Sequence, residues 1–165
     1  MSFIRVTYLE PCRVASFHVT DSLTPEEEAH SLFLVWAESK GLLPEHRFIP
    51  LIGFNNPWGP LGEKRGYEFW CVLDDPGDID LSGTIVKEFS GGLYAVITIP
   101  GLDRIMQGIE LTHRWVKHHP KYETNYPENH RHGIDPSPEY EVVYTWTTQK
   151  PEEFILDYYI PIKER

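Results

Sequence analysis

RVASFHVTDSLTPEEEAHSLFLVWAESKG, residues 13–41, holds a strand, a helix start, a helix and a helix stop in succession. Arg13–Thr20 is short, apolar and partly β-branched, which predicts a strand. Thr24 suits an N-cap, Pro25 the first helical position, and Glu27 a capping box. The acidic run Glu26–Glu28 complements the positive end of a helix dipole. Ala29, Leu32, Phe33, Trp36 and Ala37 recur at helical spacing, and Gly41 predicts the stop.

Reading onward, Arg47–Phe54 predicts a strand with Pro50 at an edge or bulge. Asn55–Gly62 is turn-rich, Tyr67–Leu73 is a strand, and Asp74–Asp78 is a charged turn. A second cycle follows. Gly91–Ile99 is a strand, and Pro100-Gly101 breaks it. Leu102, Ile105, Met106, Ile109, His113 and Val116 then predict a helix from about Leu102 to Lys117. Lys121–Pro138 reads as a long polar loop, Tyr140–Trp146 and Phe154–Ile162 as a final strand pair. A short strand at Thr84–Phe89 precedes this second cycle.

Strand, helix, strand, strand therefore occurs twice. The expected fold is α+β, built from duplicated βαββ units of about 1–80 and 81–165. Together they form a single domain with a mostly antiparallel sheet, two main helices and a ligand cleft at the pseudo-twofold junction.

Composition narrows the function. A chain of 165 residues buries about 70% of its unfolded surface, so it folds without disulfides or a structural metal. Its net charge of −10 opposes phosphate backbones and argues against nucleic acid as a partner. Cys12 and Cys71 form no C-x-x-C, and no His-Glu-x-x-His occurs, so no metal or cofactor is expected. No signal or membrane-spanning hydrophobic run is present, and cytoplasmic residence follows by default. Aromatic residues make up 13% of the chain; they suit either a β-rich core or an aromatic-lined pocket.

Several residues are candidates for such a pocket. Glu141 lies mid-strand between large apolar residues. It would be a buried carboxylate if it points inward, and a salt-bridged surface residue if it points out; strand alternation does not choose. Tyr67 and Trp70 differ by an odd number of positions, so a regular strand sends them to opposite faces and one belongs to the core. Glu68 is the alternative acid. Tyr158 and Tyr159 oppose each other in the same way. Trp36 and Trp115 suit helix-to-sheet packing, and Trp115 is also a pocket candidate. Phe54 and Trp58 flank a Pro-Gly loop that could act as a lid.

In order along the chain, Arg13-Val-Ala, the helix carrying Trp36, Ile52-Gly53, Tyr67-Glu68, Gly91-Gly-Leu-Tyr-Ala-Val96, the helix carrying Trp115, Tyr140-Glu141 and Tyr159-Ile-Pro-Ile162 resemble the GyrI-like small-molecule-binding family, the AraC-type effector-binding domain. The resemblance spans about Leu9 to Lys163. It implies a duplicated fold that binds bulky, aromatic and often cationic organic ligands, with an acid at the position of Glu141. With the aromatic candidates above, the expected pocket set is Glu141, Tyr67, Trp70, Trp115, Tyr159 and Phe54. No helix-turn-helix segment precedes the first strand, so the expected role is a stand-alone ligand-binding domain. The alternatives are a hydrolase of strained, electrophilic natural products using Glu141, and an acidic protein that meets a topoisomerase. The loop from Lys121 to Pro138, with His130 and His132, looks longer than is usual in the family.

Overall fold

The computed structural model describes residues 3–42, 51–73, 79–144 and 150–165. The fold is α+β, with two main helices and antiparallel strand pairing. Two compact units divide the chain. Unit 1 comprises Met1–Pro11, Ser90–His130 and Pro138–Arg165; unit 2 comprises Cys12–Phe89 and Arg131–Ser137.

Unit 2 contains β2 (Cys12–Ser22), α1 (Pro25–Ser39), β3 (Leu51–Asn55), β4 (Arg65–Val72) and β5 (Val86–Phe89). Its strands lie in the order β3-β4-β2-β5. Unit 1 contains β1 (Ile4–Leu9), β6 (Gly92–Pro100), α2 (Ile105–His118), β7 (Tyr122–Thr124), β8 (Tyr140–Val143) and β9 (Ile155–Glu164). Its strands lie in the order β1-β6-β9-β8, with β7 pairing the end of β9. The βαββ pattern is thus duplicated. In each unit the last strand of the motif lies between its first and second strands, and one further strand flanks the first. Those flanking strands come from unexpected places: β1 leads into β2 but pairs with β6, whereas β5 leads into β6 but pairs with β2.

Local chemistry explains most boundaries. Pro25 opens α1 and three glutamates fill its first turn. The expected capping box does not form, because the Thr24 side chain makes no cap bond. Instead the Ser22 hydroxyl accepts from the Thr24 amide at 3.0 Å and donates to Glu28. At the other end the Gly41 amide donates to Glu38 and the Leu42 amide to Ala37. Gly41, at φ 67°, supplies the left-handed turn that this Schellman closure requires. The second helix starts later than its hydrophobic spacing suggests: Leu102–Arg104 forms a 3-10 turn before α2 begins.

β1 and β7 escape sequence reading altogether, and β7 lies inside the expected long loop. Positions 47–50 of the expected strand, the turn at 74–78 and the end of the Tyr140–Trp146 strand lie outside the described residues. No helix among the described residues is long and apolar enough to cross a membrane.

Strand register fixes the faces. In unit 2, Phe17 lies opposite Phe69 and Ala15 opposite Cys71. Phe17 also meets Phe33 and Trp36 of α1, so this face packs on the helix. In unit 1, Val116 of α2 packs with Ala95 and Ile162, and Ile97, Ile99, Val143 and Leu156 continue that layer. Each unit therefore has a helix-covered face, and the alternate residues of its strands form a second, helix-free face.

Candidate functional site

Both helix-free faces carry a buried carboxylate. In unit 2 it is Glu68, 1% exposed. Its Oε1 accepts from the Ser16 hydroxyl at 2.6 Å, the Trp70 indole N–H at 2.6 Å and the Lys87 ammonium at 2.6 Å. Its Oε2 accepts from the Asn56 amide at 2.7 Å. The rings of Phe54 and Phe89 stand 4.6 and 5.6 Å from that of Trp70. An acid is thus held among rings, with Trp70 serving as both wall and donor.

Chain geometry explains how these residues meet. Phe54 lies opposite Glu68, and Ser16 lies opposite Trp70, so all four side chains share one face. Asn56 is set by the loop that follows β3. Its amide donates to the Gly66 carbonyl, and the Gly66 amide donates to the Pro57 carbonyl. The two backbones approach so closely that a Cβ on Gly66 would overlap the Asn56 carbonyl group. His18, opposite Glu68 in the register, places Nε2 2.6 Å from the Asn56 carbonyl oxygen.

Burial alone would push the Glu68 carboxyl up. Lys87, Ser16, Trp70 and Asn56 more than offset this, and the group lies below the usual carboxylate value. It is a stable anion at neutral pH.

The corresponding residue in unit 1 is Asp157, 4% exposed. Arg5 Nη2 donates to its Oδ2 at 2.5 Å, Tyr144 OH to Oδ2 at 2.8 Å and Thr98 Oγ1 to Oδ1 at 2.5 Å. The rings of Tyr94, Tyr140 and Tyr159 cluster on the same face, with centroids 5.9 and 6.0 Å from that of Tyr94. The parts match those of unit 2: a cation from the flanking strand (Arg5, Lys87), a hydroxyl from the first motif strand (Thr98, Ser16), the acid from the last, and an aromatic donor (Tyr144, Trp70).

The expected pocket residues divide between faces. Phe54 and Trp70 share the Glu68 face. Tyr67 is 2% exposed and packs on Phe69 on the α1 side. Tyr159 belongs to the helix-free face of unit 1. Glu141 does not share that face, because it pairs with Tyr158 while Tyr140 pairs with Tyr159. Glu141 is half-buried on the α2 side, in the same row as Val143. Trp115 is also on the α2 side, beside His119 and Tyr122. Trp58 stacks near His132, with ring centroids 4.5 Å apart.

Two acids outside the expected set carry extensive bonding. Asp157 has just been described. The other is Glu139, immediately before β8. Both Tyr126 and Tyr158 donate to its carboxylate, and His113 Nε2 lies 3.0 Å away. Its hydrogen bond to Glu139 raises the His113 pKa above the ordinary value, against the opposing effect of burial. Burial pushes Glu139 up, but His113 and the two tyrosines bring it below its ordinary value. A raised histidine stabilises the fold below its unfolded pKa of about 6.5, and this contribution is lost as pH rises through the folded value. His113→Gln should therefore cost up to about 1 kcal/mol at pH 6 and almost nothing at pH 9, measured by urea unfolding at both pH values. An equal cost at both would remove the ion pair from the account.

A groove of about 600 Å³ in unit 1 is lined by His113, Arg114, Lys117, His118 and Arg165, together with Val116, Glu123, Thr124 and Tyr126. Its rim is predominantly basic, which makes it a poor seat for a cation. Among the described residues, no group of three or more His, Cys, Asp or Glu is placed to hold a metal ion.

Solved structures share this architecture. The C-terminal domain of EcmrR aligns over 100% of this chain and 99% of its own, with 13% identity and a TM-score of 0.69. SAV2435 bound to tetraphenylphosphonium aligns over 98% of this chain and 94% of its own, with 14% identity and a TM-score of 0.56. A hydrolase from Listeria innocua aligns over 97% and 91%, with 10% identity and a TM-score of 0.65. At these identities the likeness establishes the fold. No protein-family model matches the sequence, and no curated protein does either.

Proposed function

We propose that this chain binds bulky organic cations, and that Glu68 is the residue that meets the charge. The observation that carries this reading is an ionised, buried carboxylate bordered by Phe54, Trp70 and Phe89 on a sheet face without a helix. An aromatic face attracts a cation by about 0.5–2 kcal/mol, and burial of an apolar body adds to that. The solved structure of SAV2435 with tetraphenylphosphonium supports the ligand class through the shared fold. Of the expected pocket residues, Phe54 and Trp70 belong to this site. Glu68 takes the acidic role there, because Glu141 lies on the α2 side of its own sheet.

Titration with tetraphenylphosphonium, followed by tryptophan fluorescence and calorimetry, tests the reading. Saturable quenching is expected, since Trp70 borders the site. Glu68→Gln keeps the shape and removes the charge, and should weaken binding about thirty-fold, the equivalent of about 2 kcal/mol. Unchanged affinity in that variant would move the charge-binding role elsewhere.

A further inference from the structure

We infer that Lys87 is a built-in competitor, a tethered cation that occupies the seat of the ligand's charge and must leave for the ligand to enter. The inference rests on the reading of Glu68 given above. Lys87 projects from β5, the flanking strand, which pairs with β2. Its side chain passes across β2 to put Nζ 2.6 Å from Glu68 on β4. The lysine side chain is 40% exposed, while that of Glu68 is 1% exposed. Of the four donors on this carboxylate, it alone combines a positive charge with a partly exposed, flexible stem. Ser16, Asn56 and Trp70 are shorter or more rigid, and they hold the anion in place whether or not the lysine is present.

The matched arrangement in unit 1 shows why Glu68 is the exchangeable seat. Arg5 also comes from the flanking strand and reaches Asp157. It is held by a second bond as well, to the Thr98 hydroxyl at 3.0 Å. A guanidinium bonded at two points is fixed in orientation, whereas an ammonium is a compact point charge that water readily takes back. Lys87 has Glu68 as its acidic partner and can trade it for solvent.

Exchange of one cation for another leaves the charge balance at Glu68 unchanged. Release of Lys87 therefore offsets part of the Coulomb attraction for every cation alike, and discrimination falls to the ligand's apolar and aromatic body. Small hydrophilic cations gain nothing over the lysine; large lipophilic ones gain ring contact. A selective site for bulky cations follows from a residue that opposes binding.

Lys87→Met, Lys87→Gln and Arg5→Met test this with tetraphenylphosphonium and with tetramethylammonium as the small cation. Each variant changes the net charge from −10 to −11, so long-range attraction is matched. Both Lys87 variants should bind tetraphenylphosphonium at least tenfold more tightly than the wild type, and should gain measurable affinity for tetramethylammonium. Arg5→Met should do neither. Wild-type binding that is unchanged or weakened in both Lys87 variants overturns the competitor alone and leaves the Glu68 reading in place. Tighter binding in Arg5→Met but not in the Lys87 variants overturns it in favour of Asp157. No saturable binding by any form removes the Glu68 reading and the competitor together.

Discussion

Glu68→Ala is expected to lower stability at pH 7 by about 3 kcal/mol. The substitution leaves the Ser16 hydroxyl, the Asn56 amide and the Trp70 indole N–H without their acceptor, and each buried unpaired donor costs about 1–3 kcal/mol. Lys87 returns to water and adds little. In a domain of this size the loss corresponds to a fall in melting temperature of roughly 6–12 °C. The effect depends on pH in a defined direction. Glu68 is depressed in the folded state, so its contribution is present above the ordinary carboxylate pKa of about 4.3 and disappears as pH falls through the lower folded value. Urea unfolding of the wild type and Glu68→Ala from pH 7 to pH 3 should show the two curves converging. A gap below about 1 kcal/mol at pH 7 would mean that water replaces the carboxylate without cost, contrary to the network described.

Asp157→Ala should cost about 2–4 kcal/mol in unit 1 by the same reasoning. Thr98 and Tyr144 lose their acceptor, and Arg5 loses its 2.5 Å bond to the carboxylate. A double-mutant cycle with Arg5→Met separates the ion pair from the other donors. The pair should account for about 1 kcal/mol, because the Arg5 side chain is 45% exposed and part of its charge stays hydrated. If the coupling took up the whole loss, the hydroxyl donors would be spectators.

Legibility in the sequence follows the range of the interactions. α1 is readable because its start and stop are written within a few residues, in Pro25, the three glutamates and Gly41. β6 and the body of α2 are readable for similar reasons. β1 is not: Ile4–Leu9 is a short run at the edge of the sequence pattern, and its pairing partner in β6 lies about ninety positions away. The same limit governs the site. The alternation rule correctly separates Tyr67 from Trp70, but only register shows which faces the helix. Glu68 is set apart from Glu141 by Ser16 and Lys87, residues 52 and 19 positions distant from it in the chain. Asp157 and Glu139 stand among apolar and tyrosine-rich neighbours without a spacing that would flag them. The partners of Asp157 are spread from Arg5 to Tyr144, and those of Glu139 from His113 to Tyr158.

The exchange of flanking strands between the two repeats governs how the protein can be made and cut. β1 emerges from the ribosome before β2–β5, yet its partner β6 is synthesised only after all of them, so a bare strand edge waits until then. Nor does either repeat correspond to one continuous gene fragment. A piece covering 12–89 lacks residues 131–137, which reach back to bond Asn55 through Ser137, and a piece covering 90–165 lacks its outer strand. Dissection into halves therefore leaves ragged edges on both, and this architecture is inherited whole.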